Sequence, residues 1–246
     1  MKNIVYIANF KNYFTLQELI QWANHHKESL RKLAENHTLV LCPSFEALSQ
    51  LSTIIKDTGV MLGAQDCSPF GPGAHTGHVL AESLKQIGCQ WTIIGHSETQ
   101  TPPDFLLLRL KAEQLLKQNI TPIICMGETE QDFKQARGAK IIEDQIKQLF
   151  TEWSNTLPHK TLSIAYEPLW AINHVDPHSY ESYLIEQLAL IEKLCTQLMP
   201  DYSIQVYYGG GVNQSNADQM KQMPFVDGLL IGKASTDFQK LQKIVG

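Results

Sequence analysis

Short apolar runs recur along the chain, with longer amphipathic stretches between them. NIVYIA, TLVLC, VMLGA, WTII, TPIIC, LSIAY, SIQVYY and VDGLLI are rich in β-branched residues. They read as buried strands, because a strand covered on both faces has no polar side to show. Residues 16–33, 105–118, 139–153 and 180–199 instead space their apolar residues by three and four, as a helix with one buried stripe does. Eight strand–helix units in 246 residues fit a closed (β/α)8 barrel, an α/β fold of eight parallel strands inside an outer ring of helices. An open doubly wound sheet would give fewer, more unequal repeats and a glycine fingerprint after the first strand, where this chain reads ANFKNYF. No Pro/Gly/Ser-rich linker or shift in composition divides the sequence, so residues 1–246 are expected to form a single barrel domain.

The uncommon polar residues gather at one end of these units. Asn9 and Lys11 end the first strand, His96 follows the fourth, Glu167 ends the sixth, Gly209 to Gly211 follow the seventh, and Gly232 with Lys233 follows the eighth. In a parallel barrel all these ends share one face, the face on which active sites of this fold are built. Taken singly, each position has a plain structural explanation: a satisfied polar histidine, a solvated lysine, turn-forming glycines, or a rim carboxylate paired with a surface lysine. Convergence is the stronger argument, since one pocket accounts for every position while the plain explanations must hold independently. Pro168 directly after Glu167 ends the ladder, so the carboxylate projects where strand becomes loop. A histidine beside a helix N-terminus would be kept neutral and able to donate to a carbonyl oxygen, the role expected of His96. Lys11 could offset charge developing on oxygen, and the glycines after strands seven and eight would let backbone N–H groups approach a phosphate.

Charge and cysteine usage narrow the alternatives. A net charge of −5 without a Lys/Arg block offers no footprint for nucleic acid, and no apolar run reaches membrane-spanning length. A cytoplasmic protein is expected. Cys42, Cys67, Cys89, Cys125 and Cys195 form no CxxC pair, which argues against a disulfide framework or a zinc site and for small buried side chains.

NFK, GAHTG, GHSE, CMGE, AYEPLWAI, YGGGV and DGLLIGKAS, in this order and at this spacing, resemble the triosephosphate isomerase family over essentially the whole chain. The resemblance implies a homodimeric, metal-free and cofactor-free isomerase that interconverts dihydroxyacetone phosphate and glyceraldehyde 3-phosphate in glycolysis and gluconeogenesis. It implies Glu167 as the base, His96 as the neutral electrophile, Lys11 as the positive charge facing the enediolate, and Asn9 as an orienting group. It further implies a lid beginning at Trp170 and ending at His178, with Asn173 at its tip, and phosphate contacts from Gly211, Gly232 and Lys233. The long loop 66–78, from Asp66 to His78, is implied to reach into a partner subunit.

The chain departs from the family pattern in places. The lid reads AINHVD before Pro177, without the usual glycines, and Asp176–Pro177 resembles the start of a helix. Gly211 stands where a serine that latches the lid is usual, with its backbone N–H expected to remain available to phosphate; the other latch residue is matched by Tyr208. His78 and Thr99 replace the two members of an interface ion pair together. These departures leave a lid-impaired barrel that binds sugar phosphates with little turnover as the alternative reading, and the intact Asn9, Lys11, His96 and Glu167 argue against it.

Overall fold

A computed structural model of the chain describes residues 3–99, 102–154, 156–171 and 180–246. Eight parallel strands, β1 (Val5–Asn9), β2 (Thr38–Cys42), β3 (Met61–Ala64), β4 (Cys89–Ile94), β5 (Thr121–Met126), β6 (Thr161–Tyr166), β7 (Ser203–Tyr208) and β8 (Gly228–Ile231), pair in chain order, and β1 pairs with β8 to close the barrel. Each expected run falls on one of these strands. The helices are α1 (Leu16–Ala34), α2 (Leu48–Ile55), α3 (Ala81–Ile87), α4 (Phe105–Lys117), α5 (Glu130–Lys134), α6 (Gly138–Phe150), α7 (Glu181–Leu198), α8 (Ala217–Gln222) and α9 (Phe238–Val245). The four long helical stretches of the sequence are α1, α4, α6 and α7, with ends displaced by up to three residues. Helix ends are where pattern is weakest and capping decides: Thr15 and Glu18 form a reciprocal capping box on α1, and Asp104 accepts from Leu107 N–H to start α4. No helix among the described residues is long and apolar enough to cross a membrane.

Alternation along the strands builds two separate cores. Val5, Ile7, Val40, Cys42, Ile93, Ile123, Cys125, Ala165, Tyr207 and Leu230 fill the barrel interior. Tyr6, Ala8, Leu39, Leu41, Ile124, Ile164 and Tyr208 join the core shared with the helices. All five cysteines are free and buried.

The same period of two carries the inward stripe past the strand ends. From Val5 and Ile7 it leads to Asn9 and Lys11, from Ala165 to Glu167, from Tyr207 to Gly209 and Gly211, and from Leu230 to Gly232. Only β4 breaks the parity. Gly95 takes φ +73, a left-handed turn that an L side chain adopts at a cost, and this brings His96, one residue out of step with inward-facing Ile93, beside Glu167.

Candidate active site

The stripes end in one cavity of about 590 Å³ at the C-terminal mouth of the barrel. Asn9, Lys11, His96, Glu167, Gly211, Gly232 and Lys233 all line it. Asn173, together with Val175, Asp176, Pro177 and most of the expected lid, lies outside the described residues.

Glu167 sits directly after β6 and is only 4% exposed. Its backbone N–H donates to Met126 O at 2.7 Å, so main-chain pairing holds its Cα although the ladder ends. Burial pushes the Glu167 carboxyl up to about 7; contacts with Cys125 and the charge of Lys11 oppose that rise without cancelling it. Oε1 of Glu167 lies 3.5 Å from Nε2 of His96. The reacting carbon of a small ligand would therefore meet a carboxylate whose basicity is raised close to neutral pH.

The electronic state of His96 has a different origin from the one expected. No helix begins beside it among the described residues; a turn occupies 97–99, and α4 starts only at Phe105. Instead the backbone N–H of Glu98 donates to His96 Nδ1 at 3.2 Å. An Nδ1 that accepts leaves the proton on Nε2, the nitrogen that faces Glu167 and the cavity. Burial, followed by the positive charge of Lys11, lowers the His96 pKa, while Glu98 opposes them. The product is a neutral imidazole with its donor aimed into the cavity.

Lys11 occupies a left-handed backbone conformation, φ +46, which is uncommon outside glycine. Two amides hold it there. Its N–H donates to Asn9 Oδ1 at 3.0 Å, and Gln65 Nε2 donates to Lys11 O at 2.8 Å and to Cys42 O at 3.0 Å. The ammonium rests 2.7 Å from Glu98 Oε1, an exposed partner that a tighter-binding anion could displace. Gln65 and Glu98 thus belong to the site, although sequence reasoning assigns them no role. Gln65 is detectable by the rule that locates Asn9 and Glu167, a polar residue just past a strand end, and Glu98 stands inside GHSE.

Beside Lys11, past the end of β8, Gly232 precedes a short 3-10 turn, Lys233–Thr236, and Lys233 lies at its start; a Cβ on Gly232 would lie 3.4 Å from Lys11 Cε. Gly211 corrects one expectation: its N–H is not left open for phosphate but donates to Gly209 O at 3.1 Å. Its φ of +72 also makes a serine there strained whatever hydroxyl it offered. Tyr208 is fully buried, and its hydroxyl donates to Gly210 O at 2.9 Å. Behind the site, Glu128 Oε1 accepts from Tyr166, Trp170 and Tyr183 at 2.9, 2.6 and 3.0 Å, which fixes Trp170 at the last stretch of described chain before residue 172. Only the glutamate of CMGE stands out in the sequence; its aromatic partners are spread over separate segments.

A profile of the triosephosphate isomerase family matches residues 4–246. The chain is 33% identical over 242 residues to the triosephosphate isomerase of Aquifex aeolicus (strain VF5), covering 97% of this chain and 96% of that protein. It is 35% identical over 210 residues to that of Wolbachia pipientis wMel, covering 84% and 79%, and 30% identical over 249 residues to that of Synechocystis sp., covering 100% and 98%.

Proposed function

This chain belongs to the triosephosphate isomerase family, and from that premise we infer that it interconverts dihydroxyacetone phosphate and glyceraldehyde 3-phosphate through an enediolate, as a single barrel domain spanning residues 1–246. The observation that carries the reading is the facing pair of Glu167 and His96, a carboxylate near neutral basicity opposite an Nε2–H donor. Glu167 takes the proton from the carbon next to the substrate carbonyl. The electron pair of that C–H bond moves toward the carbonyl oxygen, where His96 Nε2–H stabilises the developing charge, and Lys11 supplies the positive field. The proton held on Glu167 then returns to the neighbouring carbon, while the hydroxyl proton passes from one enediolate oxygen to the other by way of His96 Nε2, so that a carbonyl forms where the hydroxyl was. Triosephosphate isomerases are themselves a standard example of a carboxylate base tuned against a neutral imidazole, so these roles rest on family resemblance as well as on geometry. Asn9 orients Lys11, and the phosphate group lies against Gly211, Gly232 and Lys233, with Asn173 approaching from the lid; a phosphate that takes the Gly211 N–H must replace its bond to Gly209 O.

We further propose a cytoplasmic homodimer formed through the loop from Asp66 to His78. The loop has no regular secondary structure, yet it is organised from within. Ser68 N–H donates to Val79 O at 2.7 Å, and Lys111 Nζ holds Asp66 at 2.7 and 2.8 Å. Phe70 stacks on His75 and remains 39% exposed. His78 bonds Ser68 Oγ, and Thr99 bonds His96 O, so neither replacement leaves an orphaned charge at this rim.

Glu167→Gln should lower kcat by at least about a hundredfold, the scale of general base catalysis. A coupled assay in both directions measures it, and near-native turnover would remove Glu167 from the mechanism.

A further inference from the structure

A second cavity, of about 230 Å³, lies behind the first. Among the described residues Glu167 is the one that lines both, so this residue is the partition between them. The rear chamber is walled by Pro102, Pro103, Met126, Ile141 and Leu169, with Gln145 at its polar side. Pro102 and Pro103 also border an open surface groove beside α4, which gives the chamber a short route to solvent.

Three features define what fits. The volume exceeds the roughly 150 Å³ at which an apolar cavity in a protein accommodates a benzene ring. Gln145 donates to Gly127 O at 2.9 Å, but its own carbonyl oxygen is buried without a hydrogen-bond partner among the described residues. An orphaned buried acceptor favours a ligand that brings a donor. The two carboxylates at the walls, Glu167 and Asp132, disfavour an anion, and Asp132 already accepts from Thr129 and Arg137. Triose phosphates are therefore the wrong class for this chamber.

We propose that the rear chamber is a binding site for a small neutral aromatic molecule bearing one hydrogen-bond donor, and that its occupant inhibits the enzyme by acting on Glu167 from behind. This rests on Glu167 being the base. An apolar occupant packed behind Glu167 deepens the burial of a carboxylate already desolvated, which favours the protonated, inactive form. It touches none of the other residues that line the front cavity, so it leaves phosphate binding there intact.

Phenol is the probe. Calorimetry reads its binding directly, and the coupled assay reads its effect on turnover. Phenol should bind, lower kcat with KM unchanged, and move the acid limb of the rate profile to higher pH. Ile141→Phe fills the chamber and should abolish both binding and inhibition while basal activity persists. Gln145→Leu should weaken phenol but not toluene, which has no donor to lose. Inhibition competitive with substrate, absence of phenol binding, or phenol binding undiminished in both variants overturns the proposal. Because binding is read without turnover, these outcomes stand apart from a failure of Glu167→Gln to inactivate.

Discussion

Burial holds the Glu167 carboxyl at about 7, against 4.5 for an ordinary glutamate, so the native state keeps a proton there over a range in which the unfolded chain has released it. Stability rises with pH wherever the unfolded state binds more protons; here the native state binds more, so this residue makes stability fall as pH rises from about 4.5 to about 7. Above that window the loss is complete and constant. Glu167→Gln removes the ionisation and keeps the shape, so its stability relative to the parent should be greater at about pH 8 than at about pH 4.5. Urea denaturation of both proteins at the two pH values measures this, and an equal difference at both would mean that burial of Glu167 is not opposed to folding. The position of this carboxylate was legible in sequence, because an acidic residue between an apolar run and a proline has few structural uses. The neutrality expected of His96 was attached in sequence to a helix N-terminus, whereas α4 starts only at Phe105. Its cause includes the Glu98 N–H, a backbone group, and a backbone group carries no residue-specific signal in a sequence.

At the scale of elements, the strands were readable because a covered strand must be apolar throughout, whereas α5 and α8 are too short for a helical period to declare itself. The inward parity of each strand is the element-level device that assembles the site, and β7 shows how little room it leaves. A Cβ on Gly209 would lie 2.9 Å from Glu167 Cγ and 3.5 Å from both Glu167 Oε1 and Leu230 Cβ. The side chain that must yield is the carboxylate proposed as the base. Gly209→Ala should therefore cost kcat on the order of tenfold, given that about 1 Å of misplacement in a catalytic group costs about a hundredfold. Its melting temperature should change little, because a side chain and not backbone gives way. A variant that keeps parental kcat would show that Glu167 tolerates the displacement. The rear chamber could not have been read at this scale in advance, since it is a void among the end of β5, the helices α5 and α6 and the adjoining loops, whose residues are individually ordinary.

Over the whole molecule, six large apolar side chains are exposed among the described residues; Leu106, Leu198 and Phe225 lie apart from one another in the chain, and the other three share a region. Tyr13, Phe45 and Phe70, exposed by 50%, 39% and 39%, follow β1, β2 and β3 and so fall on one side of the catalytic rim. That side includes the loop from Asp66 to His78, and the proposed dimer would cover it. Sedimentation at micromolar protein should give the mass of two chains, and Phe70→Asp should shift the mass toward one; a parental protein that is monomeric yet fully active at every concentration would defeat the dimer. The closure of the barrel carries a further consequence for how the protein comes into being. Val5 pairs with Gly228, so the first strand made needs the last. At a synthesis rate of about 5–20 residues per second, the interval between them on the ribosome is about 11 to 45 seconds. Throughout that time the outer edge of β1 presents unpaired N–H and C=O groups with no neighbour to receive them. The nascent chain thus passes through a sticky, open-sided intermediate, and chaperone occupancy during translation should persist until β8 emerges and the ring shuts.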